Sequence, residues 1–168
     1  MSNMLISGTN KGIGRALVEK YLTRDYVTVV ASVHNPASPD AVSLSTLPTG
    51  HSSRVIVVKI DAASDTDAKE AVASLVSHRV SSLDIVIANA GVFSGAEFKT
   101  IADAKISEIQ NNLNVNTVGP IRLFQATLPL LLKFSSPRVI LMSSLMDTIS
   151  GIQDIPLKIA SYGANIAW

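Results

Sequence analysis

Apolar and polar positions along the chain alternate between two patterns. Short, nearly unbroken apolar runs stand at residues 3–7, 26–33 (YVTVVASV), 54–60 (RVIVVKI), 83–88 (LDIVIA) and 138–142 (RVILM). Runs this short, rich in Val and Ile and apolar at consecutive positions, are expected of strands covered on both faces. The segments between them carry a helical period. Residues 14–23 read as a helix with Ile13, Ala16, Leu17 and Tyr21 on one side. Residues 65–78 place Ala68, Ala71, Val72, Leu75 and Val76 on one stripe, with Asp65 or Asp67 as the capping residue. Residues 102–134 read as mostly helical, with Pro120 and Pro129 as kink or boundary points. Residues 35–53, rich in Pro, Ser and Thr, read mostly as surface loop, and residues 143–168 as loop followed by the first turn of a helix. Strands that alternate with helices predict βαβ units and an α/β fold with a parallel sheet. Residues 1–168 show no internal repeat and no linker, and are expected to form a single domain.

Composition narrows the function. Of the residues, 47% are apolar, enough for a sizeable core, and the formal net charge of +1 points to no nucleic-acid or membrane-surface partner. Cysteine is absent, which removes disulfides, thiolate catalysis and Cys-based zinc sites. His34, His51 and His78 lie far apart without ligand spacing, so no metal is expected. No apolar run approaches the ~18 residues of a membrane span. Residues 1–7 are short and uncharged, unlike a secretory leader. A cytoplasmic protein is the expectation.

Three motifs carry candidate chemistry. Gly8-Thr9-Asn10-Lys11-Gly12-Ile13-Gly14 lies between the first predicted strand and helix. Glycines there let backbone amides approach a pyrophosphate at the positive end of the helix, although the spacing is G-x-x-x-G-x-G rather than G-x-G-x-x-G. The plainer reading is a connecting turn. Asp61 follows the third strand, where a carboxylate can accept a hydrogen bond from an adenine amino group; a loop or capping aspartate is the alternative. Asn89-Ala90-Gly91 ends the fourth strand, where small residues let a cofactor pass and Asn89 can tie neighbouring strands together; an ordinary strand-ending turn is the alternative.

These motifs, with Asn116, Ser143-Ser144 and Tyr162 following in order, resemble the short-chain dehydrogenase/reductase family across the whole chain. The segment 116–125 (NTVGPIRLFQ) is similar to fungal ketoreductases of the norsolorinic-acid type, which act in polyketide secondary metabolism. The resemblance implies a Rossmann-like doubly wound sheet with strands ordered 3-2-1-4-5, continued in the family by strands six and seven. It implies hydride transfer between a nicotinamide and a small-molecule carbonyl or alcohol. It implies roles for Asn116 in a proton relay, Ser144 (or Ser143) as donor to the substrate oxygen, and Tyr162 as proton donor. The nucleotide would lie against Gly8, Asn10, Lys11, Gly12, Ile13, Gly14, His34, Asp61, Asn89, Ala90, Gly91 and Tyr162, with Arg122 on the cofactor side of the site or on the surface. The second strand ends Val33-His34-Asn35 without the acid that holds a ribose 2′-hydroxyl, and Lys11 lies in the glycine turn. NADP(H) is therefore expected ahead of NAD.

The chain departs from the family at two places. The family's Y-x-x-x-K reads Tyr162-Gly163-Ala164-Asn165-Ile166. Isoleucine can neither hold the nicotinamide ribose nor lower a tyrosine pKa by its charge. Lys158 precedes the expected helix and is not expected to replace it. The sequence also ends at Trp168, short of the family's last strands and substrate lid. An open edge at strand five, covered by an oligomer or another partner, is the corresponding expectation. A catalytically impaired nucleotide-binding remnant, or a non-redox enzyme reusing the pocket, stands as the alternative function.

Overall fold

The computed structural model describes residues 2–93 and 105–144. Five strands form one parallel sheet in the order β3-β2-β1-β4-β5. They are β1 (Ser2–Ser7), β2 (Val27–Val33), β3 (Arg54–Lys59), β4 (Ile85–Ala88) and β5 (Arg138–Leu141). Alternate side chains of each strand point to opposite faces. Leu5, Val30, Ile56, Val58 and Val86 thus join one core with Ala68, Ala71, Leu75, Leu123 and Leu130. Met4, Ile6, Val29, Ala31 and Ile87 join the other with Val18, Leu22, Ala41 and Leu44. The fold is the α/β parallel sheet that the alternation predicts, in the doubly wound, Rossmann-like order that the family resemblance implies, and its strand order reverses between β1 and β4.

Helix α1 (Gly12–Leu22) begins two residues before the predicted start. Its buried stripe is Gly14, Val18 and Leu22, whereas Ile13 is 62% exposed and Ala16 is also exposed. Gly14 packs inward while its neighbour Ile13 faces away from the core, so an apolar residue in the first turn does not mark the packed face. Residues 35–53 are less irregular than expected. They contain α2 (Pro39–Ser43) and a 3₁₀ turn (Leu44–Thr46), with Ala41 and Leu44 buried in the α1-side core. Ser38 caps α2 by accepting the Ala41 N–H, and Pro39 occupies the first helical position, where its missing donor costs nothing. A five-residue helix is too short to show a period, which is why composition alone reads it as loop.

Helix α3 (Asp67–Ser74) is shorter than its sequence stripe, and neither Asp65 nor Asp67 caps it. Ser64 Oγ accepts the Asp67 N–H instead. Asp67 turns back to accept the Asp61 N–H (3.0 Å) and the Ser64 hydroxyl (2.7 Å), and pairs with Lys59 (3.1 Å). The donated Asp61 N–H holds its carboxyl below the usual carboxylate range, against the opposing effect of burial, with Ser64 and Lys59 adding to the lowering. The loop between β3 and α3 is therefore pinned from within.

The long predicted helix is three segments. Within the described residues α4 (Ile106–Asn112) runs into a π-helical turn (Leu113–Val118) and then α5 (Gly119–Leu131). Pro120 has no N–H to close an α-type bond onto Asn116, and a widened turn there is the expected accommodation. Pro129 lies in the last turns of α5, near its end at Leu131.

Candidate functional site

The carboxyl ends of β1, β2, β3 and β4 converge on one cleft of about 590 Å³. Its lining contains Gly8, Asn10, Lys11, Gly12, Ile13, Gly14, His34, Asp61, Asn89, Ala90 and Gly91, every described residue that the motifs nominate for nucleotide contact except Arg122. Ile60, Ala62, Ala63, Val92, Asn111 and Val115 complete the wall.

The glycine turn is built by close approach. Gly8 and Gly12 hold φ of +69° and +58°, a backbone region that L side chains enter at a cost. A Cβ on Gly8 would lie 2.8 Å from Ala90 Cα, and one on Gly14 would collide with Gly8 O and Asn89 Nδ2. A Cβ on Gly12 would meet nothing within 4 Å. Two glycines thus let β1, α1 and the end of β4 touch, while the third leaves open space at the mouth of α1. No side chain caps α1 and no acid sits in its first turn, so its first N–H groups face the cleft without a competing negative charge.

Asn89 locks this turn. Its Nδ2 donates to Ser7 O (2.9 Å) and Gly8 O (3.2 Å), while its own N–H and that of Ala90 donate to Ser7 Oγ (3.0 Å each). The tie between strands expected of Asn89 is present, and Ser7 is the partner that sequence reasoning did not single out. Thr9 adds a second tie by donating from both N–H and Oγ1 to Ser32 O.

The far wall joins His34 and Asp61. His34 Nε2 lies 3.3 Å from Asp61 Oδ2, with the His34 side chain 78% exposed. Asp61 Oδ1 accepts the Ala63 N–H (2.9 Å). Lys11 is exposed at the turn. The cleft therefore has a basic rim at Lys11 and His34, one carboxylate beside the imidazole, and an apolar floor of alanines and glycine. Ala62, Ala63, Asn111 and Val115 carried no sequence signal of their own, since small or helical residues acquire a role only through the fold.

Asn116 stands on the π-helical turn outside this lining and reaches Val92, in the segment that follows β4. Its Oδ1 accepts the Val92 N–H (2.8 Å) and its Nδ2 donates to Val92 O (2.9 Å). Gly91 makes room, because a Cβ there would lie 3.3 Å from Asn116 Oδ1. Ser143 and Ser144 follow β5, whose Leu141 pairs with Ala88, so they leave the sheet at the same end as Asn89. Tyr162 and Ile166 lie outside the described residues. Arg122 does not line the cleft. Its guanidinium bonds to Asp65, Ala62 and Asn114. Among the described residues no cluster of His, Asp or Glu could hold a metal ion, and no helix is long and apolar enough to cross a membrane.

Comparison with known proteins agrees with the architecture. The chain is 36% identical over 169 residues to a short-chain dehydrogenase of Penicillium aethiopicum, covering 99% of this chain and 65% of that protein. It is 34% identical over 166 residues to the norsolorinic acid ketoreductase of Aspergillus parasiticus, covering 96% of this chain and 59% of that one. The chain thus spans between about half and two-thirds of the length of such relatives. Among solved structures, an NADPH-bound carbonyl reductase from chicken fatty liver superposes with a TM-score of 0.84 at 24% identity, over 98% of this chain and 69% of that one. The carbonyl reductase Sniffer of Drosophila melanogaster superposes with a TM-score of 0.82 at 26% identity, over 98% and 70% of the respective chains. The sequence model of the short chain dehydrogenases matches residues 2–164, and the chain belongs to that family.

Proposed function

We propose that this chain is the nucleotide-holding part of an NADP(H)-dependent oxidoreductase that reduces a ketone of the kind handled in fungal polyketide pathways. The observation that carries the reading is the cleft at the topological switch point, where the glycine turn, His34, Asp61 and Asn89–Gly91 meet. Gly8 and Gly14 admit no side chain, Gly12 leaves the mouth of α1 open, and the uncapped N–H groups of that mouth suit a pyrophosphate. The donor set fits a dinucleotide. Lys11 and the α1 amides would hold the phosphates, Asp61 the adenine, and His34 with Lys11 a 2′-phosphate. Relatives named norsolorinic acid ketoreductase support the ketone class.

When bound, the nicotinamide supplies or accepts a hydride. The chain's own residues then handle the charge that appears on the substrate oxygen. Ser144, or Ser143 beside it, donates a hydrogen bond to that oxygen, Tyr162 delivers the proton, and Asn116 orders the relay from the π-helical turn. Fluorescence titration of the purified chain with NADPH and NADH tests the reading. Saturable binding that favours NADPH is expected, and a folded chain that binds neither overturns it.

A second reading, nucleotide binding without turnover, is favoured by Ile166 at the family's lysine position. It predicts that Ile166→Lys leaves NADPH affinity within a few fold while raising the rate of ketone reduction on the order of 10²-fold. Steady-state kinetics with aromatic and aliphatic ketones measures this, and brisk turnover by the unaltered chain would dismiss the second reading.

A further inference from the structure

Arg122 sits on α5 behind the cleft, and its bonds run to two different walls. Nε donates to Asp65 Oδ1 (2.6 Å) and Nη1 to Ala62 O (3.2 Å), both in the loop that follows β3. Nη1 also donates to Asn114 Oδ1 (2.8 Å) and Asn114 O (3.2 Å), at the start of the π-helical turn. Ala62 is itself part of the cleft wall, between Asp61 and Ala63, which also line it. Asn114 precedes Val115, which lines it too, and Asn116, which holds Val92 by both of its amide atoms. The loop also rests directly on the start of α5, where a Cβ on Gly119 would lie 3.0 Å from Ala62 Cβ. One guanidinium thus spans the wall assigned to adenine and the turn assigned to the reacting end.

We infer that Arg122 is a positioning residue that braces the two walls of the cleft against each other, so that order in the Ala62–Asp65 loop and order in the Asn114–Asn116 turn rise and fall together. The inference rests on the nucleotide reading for its consequence in binding, but not for its structural content. Arginine suits the task because the two N–H groups of Nη1 point in fixed directions in the guanidinium plane, one free for Ala62 O and one for the oxygens of Asn114, whereas a lysine ammonium on its flexible stem has no fixed donor directions. The two arms differ in exposure. The Arg122 side chain is 19% exposed and Asp65 83%, so the carboxylate arm is screened by water and the carbonyl and amide arms carry the brace. Asp65→Asn is therefore expected to change little.

The test is amide hydrogen exchange of the full chain, read at residues 61–65, at Val92 and at 113–118, with β2 as internal reference, alongside titration with NADPH and with adenosine 2′,5′-bisphosphate. Arg122→Met is expected to speed exchange about tenfold in both walls and at Val92, leave β2 unchanged, and weaken both ligands about tenfold. Arg122→Lys keeps the charge and stem, so the variant folds even if the methionine variant does not. It is expected to leave both walls and Val92 faster than in the unaltered chain and both ligands weaker, each by less than in the methionine variant, because the ammonium lacks the fixed donor directions that hold Ala62 O and Asn114 together. Exchange that changes in one wall alone in Arg122→Met, or in neither, overturns the brace. So does full recovery of both walls by Arg122→Lys, since a point charge would then suffice. If the unaltered chain binds neither nucleotide, the dinucleotide reading fails by itself, and the exchange data still decide the brace.

Discussion

Strands β2 and β5 are both apolar runs in one parallel sheet, and they differ in how much of their surface is buried. VTVVASV of β2 is buried at all seven positions, whereas every residue of β5, RVIL, is exposed. Strand β2 lies between β1 and β3, with helices over the α1-side face. Strand β5 pairs with β4 and is the last strand in the described sheet. Val139, Ile140, Leu141 and Met142 are 38–49% exposed, beside an apolar recess of about 360 Å³ that α5 shares through Pro120, Ile121, Leu123 and Phe124. An unbroken apolar run announces a strand, but the number of its neighbours decides how much of its surface leaves water. The glycine cleft sits at the crowded end of this contrast, where β1, β2 and β4 constrain one another.

The sharpest way to break the comparison is at Gly14. Gly14→Ala drives a methyl into Gly8 O and Asn89 Nδ2, and the nearest atom is backbone that cannot swing away. The expected cost is about 3 kcal/mol, read as a lower urea midpoint, with loss of NADPH binding. Gly12→Ala meets open space and carries only the left-handed backbone penalty, about 1 kcal/mol. Equal costs at the two glycines would refute the claim that one is a packing position and the other an opening.

A matched pair of deletions sharpens the comparison at the strands themselves. Val30 of β2 is fully buried, and Val30→Ala is expected to cost about 2–3 kcal/mol. Val139 of β5 is 38% exposed, and Val139→Ala is expected to cost less than about 1 kcal/mol. Both follow from denaturant unfolding of the single variants. Comparable losses would mean that the exposed face of β5 is covered in solution.

The same contrast explains what the sequence made legible. The strands, the turn at Gly8–Gly14 and the lining residues Asp61 and Asn89 were readable because each depends on a local pattern: a period, a glycine spacing, a strand end. The α2 segment was not, since five residues cannot show a helical period, and Ala41, with Leu44 just after it, is buried only through the long-range cluster on the α1 side of the sheet. The π-helical turn was visible only as a proline at 120, which marks a break in the hydrogen-bond ladder without saying how the ladder adjusts. Ser7 and Ala62 were missed because their roles are relations: a hydroxyl facing Asn89, and a methyl resting on Gly119. For Arg122 the sequence leaves the cofactor side and the surface both open, and the structure engages it with Asp65, Ala62 and Asn114 behind the cleft.

Asp67 offers a modest effect and the most specific signature. The Asp61 N–H, then Ser64 and Lys59, hold its carboxyl below the ordinary range despite burial. A carboxylate depressed in the folded state adds stability that is fully present above its unfolded value, about 4, and is lost as the pH falls through the folded value. Asp67→Asn removes that contribution and is expected to cost about 1–2 kcal/mol near neutral pH. The gap between the two proteins should then begin to shrink as the pH falls below about 4, where the unfolded chain takes up the proton first, and should close only once the pH has passed the lower folded value and the native carboxyl is protonated as well. Urea midpoints at a series of pH values measure it. A gap that stays constant with pH would show that the amide fails for its shape rather than for its missing charge, and the loop carrying Asp61 would then be held by geometry alone.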